Sequence, residues 1–306
     1  MRKTPLITVA RATAVIVASV SVLRGADAPK QLIAHRGASG YAPEHTMAAY
    51  RLAIEQGADF VEQDLGVTKD GVLVCLHDDT LERTTNVEEV FPDRFTTNAR
   101  SNRKQWLIND FTLAELKRLD NGSWFDKKFA GEHIVSWQEA IDFVRGKKGM
   151  YPELKSPPLY TSRGVDMAKL FVDSVKKNGL DTAASLKQTP VIIQSFDEAT
   201  IRRVSTELPT IPRVFLTSDD ADVTEERLKT LAQFASGIGP TKRVIERHPD
   251  MVARAHALGL TVTSWTFSAD EKTQYPNVRA EMAQFLYTWG IDALFTNNPD
   301  QFPRTK

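Results

Sequence analysis

The chain reads as an α/β protein, a (β/α)8 TIM barrel with a small insertion subdomain after a β-hairpin. Three observations carry that reading. Apolar runs of strand length alternate with helix-period stretches from residue 31 to residue 296, the rhythm of parallel strands joined by crossover helices. The 306 residues leave room for a barrel of about 250 residues and an addition. One polar stretch, residues 83–135, interrupts the rhythm. Composition agrees: 42% apolar and 25% charged residues exclude a disordered chain, a collagen and a polytopic membrane protein. Basic and acidic residues number 39 each, so no charge excess points to nucleic acid as a partner.

The N-terminus comes first. Residues 1–11 carry Arg2, Lys3 and Arg11 and no acid, and Ala12 to Leu23 form an uncharged run of twelve. Ala26-Asp27-Ala28 then sets small residues around a cut before Pro29. This is the pattern of a secretory signal, and the apolar run is shorter than the about 20 residues of a membrane span. Residues 1–28 are expected to be removed, leaving 29–306 as a single domain. Without Arg2, Lys3, Arg11, Arg24 and Asp27 the chain keeps 35 basic and 38 acidic residues, a net charge of −3. The only cysteine, Cys75, excludes an intramolecular disulfide framework and a cysteine-based zinc site. No Cys lies in the first 30 residues, so a lipoprotein anchor is not expected; within its apolar run Cys75 reads as a buried strand residue. The expectation is a periplasmic or secreted protein with no stable membrane anchor.

Strands are expected at 31–35, 59–65, 72–77, 150–154, 191–195, 212–216, 234–238, 260–266 and 291–296. Between them lie helix signals. Met47, Tyr50 and Ile54 make an apolar stripe, and Thr112-Leu-Ala-Glu115 and Ser136-Trp-Gln-Glu139 are capping boxes. Nine strands are one too many for the barrel. The second and third are separated only by Gly66 to Gly71, with Asp70-Gly71 as a hairpin signal. Their pair is therefore one barrel strand with an excursion, and a turn at Asp70-Gly71 sets Asp64 opposite His77.

Four clusters at strand ends carry ionisable groups: Ala34-His35-Arg36-Gly37, Glu62-Gln63-Asp64, His77-Asp78-Asp79 and Tyr151-Pro152-Glu153-Leu154-Lys155. Barrel enzymes keep their chemistry at the C-terminal ends of strands. Glu62 and Asp64 share a face of their strand, and Glu153 can join them from a neighbour. Three crowded carboxylates repel unless a cation sits among them, and hard oxygen ligands suit Ca2+ or Mg2+. His35 and His77 beside such a triad fit a proton acceptor and a proton donor. Arg36 and Lys155 supply fixed positive charge suited to a phosphodiester in its transition state. Trp265 and Phe196 can wall a pocket over an apolar or glycerol-like group, or serve as core. Gly37-Ala38-Ser39-Gly40 could bring backbone near a phosphate. His45, His133, His248 and His256 read as surface or capping residues.

Taken together, these residues resemble the glycerophosphodiester phosphodiesterase family. Ala34-His35-Arg36-Gly37, Pro43-Glu44-His45-Thr46, Glu62-Gln63-Asp64, Leu76-His77-Asp78 with Leu81-x-Arg83, and Pro152-Glu153-Leu154-Lys155 match its motifs in order and spacing. Pro-Glu-His-Thr, Ser236-Gly237-Ile238-Gly239-Pro240 and the signal sequence look like its periplasmic, calcium-dependent bacterial branch. The resemblance implies hydrolysis of small-molecule glycerophosphodiesters to sn-glycerol 3-phosphate and an alcohol. It implies His35 and His77 as the acid/base pair, Glu62, Asp64 and Glu153 as metal ligands, Arg36 and Lys155 as phosphate contacts, and Glu44 as a further site acid. The divalent cation is expected to be Ca2+, with Mg2+ as the alternative. One departure stands out: the family usually ends its last strand Thr-Asp, and this chain has Thr296-Asn297. Attack by the neighbouring glycerol hydroxyl through a cyclic phosphate is the expected route, with direct attack by water the alternative. A phospholipase D-like enzyme acting on intact lipids, a non-catalytic phosphate-ester-binding protein and a glycosidase with paired carboxylates are the rival readings.

Overall fold

The computed structural model describes residues 29–305; the expected signal sequence lies outside them. Among the described residues twelve strands occur: β1 Gln31–Ala34, β2 Phe60–Val67, β3 Leu73–Cys75, β4 Thr96–Thr97, β5 Lys104–Gln105, β6 Val135–Ser136, β7 Gly149–Leu154, β8 Ile193–Ser195, β9 Arg213–Thr217, β10 Gly237–Pro240, β11 Thr261–Phe267 and β12 Ala293–Thr296. Eight of them, β1, β2 and β7 to β12, pair in parallel, and the β1–β2 pairing closes the ring. Helices between these strands bury their apolar stripes against the outside of the barrel, as Tyr50 and Ala53 of helix Met47–Glu55 do. Among the described residues, no helix is long and apolar enough to cross a membrane.

Inside the barrel, period-two alternation sorts the side chains into layers. Ile33, Phe60, Tyr151, Ala293 and Phe295 form an apolar plug. Tyr151 meets Phe60 and Phe295 edge-on, with ring centroids 5.8 and 5.1 Å apart. Two residues further along the same strands stand His35, Glu62, Glu153 and Asn297. The alternation that fills the base of the barrel thus sets polar groups above it, at the C-terminal mouth.

The hairpin exists, with its register one residue from expectation. Leu65 pairs Cys75 and Val67 pairs Leu73, so Asp64 lies opposite Leu76, whose N–H donates to the Asp64 carbonyl at 2.9 Å. The cause is the turn. Gly71 N–H closes a turn on Thr68 O (3.1 Å) and Thr68 N–H bonds Val72 O (2.9 Å). The loop therefore has three residues and ends on Gly71 at φ +77°, a left-handed position that glycine adopts without strain. His77 lies beyond the strand, in a bend, and approaches the mouth from there.

The expected strand at 234–238 also lies further on, at Gly237–Pro240. Phe234 and Ala235 both donate to Leu231 O and finish the preceding helix instead. Both capping boxes form. Residues 83–135 fold around their own apolar cluster, in which Val87, Trp106, Ile108, Phe111 and Leu119 are buried. Val74 and Leu76 belong to the same cluster and tie it to the hairpin, which makes the interruption in the rhythm a small packed subdomain.

Candidate active site

Register brings the acids together. Asp64 of β2 stands beside Glu153 of β7, and Glu153 beside Gln194 of β8. One oxygen from each of Glu62, Asp64 and Glu153 lies within 4.8 Å of the others, and all three side chains are buried. Around them a set of donors is already committed. Arg36 N–H donates to Glu62 Oε2 (3.0 Å) and Gln194 Nε2 to Glu62 Oε1 (2.8 Å). Lys155 Nζ donates to Glu153 Oε1 at 3.3 Å, and Arg36 Nε lies 3.3 Å from Asp64 Oδ2.

The electrostatics divide the triad. Burial, then the charges of Asp64 and Glu153, hold Glu62 well above the usual carboxylate range. Burial and Asp64 likewise raise Glu153. Burial alone would raise Asp64 as well, but Lys155, His45 and Arg36 outweigh it and hold this acid well below its ordinary value. Such a set is strained by its own charge and gains when a divalent cation compensates it. The residues therefore fit the oxygen-ligated cation that their spacing suggests.

The two histidines have different partners. His35 Nδ1 lies 2.6 Å from Asn297 Oδ1, so the ring donates there and leaves Nε2 facing the site, 3.8 Å from Glu62 Oε2. Burial, then the neighbouring Arg36, lowers His35 to about 3, which makes the ring neutral. His77 Nδ1 lies 2.6 Å from Asp78 Oδ1. Burial opposes the ionisation of Asp78, but His77 and Arg83 outweigh it and keep the carboxylate charged.

Glu44 lies between two guanidiniums. Its carboxylate accepts from Arg36 Nη1 at 3.1 and 3.2 Å and from Arg83 Nη2 at 2.7 Å and Nη1 at 3.1 Å. Burial is outweighed by these partners, and its carboxyl drops to about 2. Glu44 therefore stands as a clamp on Arg36, apart from the triad. Gly37 has its φ at +85°, and a Cβ there would come within 2.7 Å of Ala49 backbone. A Cβ on Gly40 would meet the Asn298 side chain at 2.5 Å. These glycines let the His35–Arg36 loop pack on its own chain; neither is an open phosphate cradle.

A cavity of about 200 Å3 connects these groups. His35, Arg36, Glu62, Asp64, His77, Glu153 and Lys155 line it, with Phe196 and Trp265 on its wall. A second cavity of about 300 Å3 adjoins it past Lys155 and runs under Pro157 and Pro158 to Phe196 and Asp197. Phe196 is 46% exposed and stands perpendicular to Trp265, with centroids 5.5 Å apart. Trp265 is tethered through its indole N–H to Gly239 O at 2.8 Å. Of the site residues expected from the sequence, all but Glu44 line this cavity, and Glu44 stands behind Arg36.

His45 departs from expectation. It is fully buried, with Nε2 2.9 Å from Asp64 Oδ2, where the sequence suggested a surface or capping residue. Thr46 is the helix cap instead, accepting from Ala49 N–H. Gln194 was also missed. Its signal was the alternation that places it two residues before Phe196 on an inward face.

A parallel barrel whose mouth holds buried acids beside two imidazoles and fixed positive charge has the groups that metal-assisted hydrolysis of a phosphate ester uses. Residues 35–301 match the model of the glycerophosphoryl diester phosphodiesterase family, and the chain belongs to that family. A glycerophosphodiester phosphodiesterase of Bacillus subtilis is 34% identical over 284 residues, which cover 90% of this chain and 85% of the relative. One from Arabidopsis thaliana is 34% identical over 87% of this chain and 82% of its own. The solved structure of an Oleispira antarctica phosphodiesterase in complex with the product sn-glycerol-3-phosphate superposes with a TM-score of 0.70. It is 27% identical and covers 89% of this chain and 95% of that one.

Proposed function

We propose that the chain hydrolyses glycerophosphodiesters to sn-glycerol 3-phosphate and an alcohol. His35 and His77 exchange the protons, and Glu62, Asp64 and Glu153 hold a divalent cation. The observation that carries this reading is the meeting of the acid triad, both histidines, Arg36 and Lys155 at a single small cavity. The triad's carboxylate oxygens suit Ca2+ or Mg2+; we assign Ca2+ on the resemblance to the calcium-dependent bacterial branch, with Mg2+ as the alternative. When bound, the cation supplies Lewis-acid stabilisation of the phosphoryl oxygens.

Arg36 and Lys155 offset the charge of the phosphodiester, and Glu44 holds Arg36 in place while it does so. His35 is the proton acceptor. Its Nδ1–H is committed to Asn297, so Nε2 keeps its lone pair. It takes the proton of the neighbouring glycerol hydroxyl as that oxygen bonds to phosphorus. His77 is the donor, its ring oriented by the contact of Nδ1 with Asp78 Oδ1 at 2.6 Å, which leaves Nε2 for the leaving alcohol. It protonates the alcohol oxygen as the second phosphorus–oxygen bond breaks. Water then opens the cyclic phosphate with the proton roles reversed. Trp265 and Phe196 flank the glycerol.

We also propose export to the periplasm or medium, on the strength of the charged, apolar and small-residue segments of residues 1–28. The test of the substrate class is product analysis on glycerophosphocholine and, in parallel, on lysophosphatidylcholine and sphingomyelin vesicles. Release of glycerol 3-phosphate from the first, with the lipids untouched, supports the reading; turnover of the lipids alone assigns the phospholipase D-like alternative.

A further inference from the structure

Asp64 is held by a side chain that does not line the cavity, and that group has no place in the proton transfers. His45 Nε2 lies 2.9 Å from Asp64 Oδ2, and its Nδ1 lies 3.0 Å from the Tyr50 hydroxyl. Both rings are fully buried and meet edge-on, with centroids 6.2 Å apart. With a carboxylate on one side, the imidazole donates from Nε2, so Nδ1 accepts from Tyr50 O–H. Arg36 Nε approaches the same oxygen, Oδ2, so both donors gather on one side of the carboxylate and leave Oδ1 to neither of them.

The backbone supports this placement. His45 has φ +56° and Arg36 φ +57°, left-handed positions unusual for residues with large side chains. The two are joined, because His45 N–H donates to Arg36 O at 3.0 Å. From this braced pair one donor goes to each of two acids: Arg36 N–H to Glu62, and His45 Nε2–H to Asp64. Strained backbone persists where its surroundings over-determine it and a site gains from it.

We propose that His45 is a positioning residue for the cation site: Tyr50 fixes its tautomer, and its Nε2–H turns Asp64 so that one carboxylate oxygen is presented to the metal. This deepens the assignment of Glu62, Asp64 and Glu153 as cation ligands and rests on it. Groups that hydrogen-bond a metal ligand from behind are worth 10- to 100-fold in affinity when removed.

The test is calorimetric titration of the mature protein with CaCl2, and separately with MgCl2, without substrate. His45→Phe keeps an aromatic ring and loses the donor; its Kd for the cation is expected to rise about 10- to 100-fold. His45→Gln can return an N–H to Asp64 and is expected to stay within about threefold of the parent, a rescue that a merely space-filling role does not predict. Tyr50→Phe, which frees the tautomer, is expected to weaken binding several-fold. An unchanged Kd in folded His45→Phe, or a loss in His45→Gln as large as in His45→Phe, overturns the proposal while leaving the triad intact. Should circular dichroism show His45→Phe to be unfolded, Tyr50→Phe decides, and an unchanged Kd there overturns it. A parent protein that binds neither cation removes the triad assignment itself, and the proposal with it.

Discussion

Replacing Glu62 by Gln should separate the cation-binding role of the triad from its role in the fold. The ligand oxygens of Glu62, Asp64 and Glu153 lie within 4.8 Å of one another. At that separation two full charges repel by about 3.5 kcal/mol in an effective dielectric of about 20. Without a cation the fold therefore favours a protonated Glu62, as its raised pKa indicates. Gln reproduces that neutral form. Its amide would face two donors, Arg36 N–H and Gln194 Nε2. However, Gln194 Oε1 has no partner of its own, and a turn of the Gln194 amide presents it to the new NH2. In chelator the variant should melt within a few degrees of the parent. At a cation concentration about 100-fold over Kd, binding adds about 2.7 kcal/mol to the parent, or about 5–10 °C in Tm for a chain of this size. Glu62→Gln should keep under about 2 °C of that gain. Differential scanning fluorimetry in chelator, Ca2+ and Mg2+ reads all three numbers. The same cation-dependent rise in variant and parent would refute the triad as the cation site.

Two further predictions concern the groups around the triad. His35→Ala and His77→Ala should each lower turnover by about 10^2- to 10^4-fold while keeping the cation-dependent rise in Tm, because neither ring belongs to the triad. Normal turnover in either variant contradicts the acid/base assignment. Glu44, lowered to about 2 by its two arginines against the cost of burial, stabilises the fold above its ordinary range near pH 4.5. That contribution is lost as pH falls from about 4.5 toward 2, because the unfolded chain takes up the proton first. Denaturant titrations should show Glu44→Gln weaker than the parent by about 2–3 kcal/mol at pH 7 and converging with it near pH 2; a pH-independent gap contradicts the ion-pair origin.

The layering of the barrel was legible because it follows from one period. Ile33 and His35, Phe60 and Glu62, and Tyr151 and Glu153 alternate along their strands, so a sequence that plugs the base also declares which residues crown it. Strand ends with paired acids, His and Lys made the mouth readable before any contact was seen. The hairpin shows what a short turn hides. Asp70-Gly71 marks a reversal, but whether two or three residues lie in the loop depends on the hydrogen bonds Gly71 N–H to Thr68 O and Thr68 N–H to Val72 O, and a shift of one residue changes every cross-strand partner. His45 was illegible for a different reason. Its neighbours Glu44 and Thr46 face an arginine pair and a helix start, and only a left-handed φ turns the ring between them inward to Asp64. A residue pattern does not declare that conformation outside glycine. Asn297 was legible as a departure, and its consequence, an amide on His35 Nδ1, required the structure.

The most direct measurement is turnover of glycerophosphocholine by residues 29–306, with released glycerol 3-phosphate coupled to its dehydrogenase, in excess chelator and after addition of Ca2+ or Mg2+. The account predicts no turnover in chelator and recovery with a single cation at a stoichiometry of one, set by one triad. Full turnover in chelator, or none with either cation from folded protein, would contradict it.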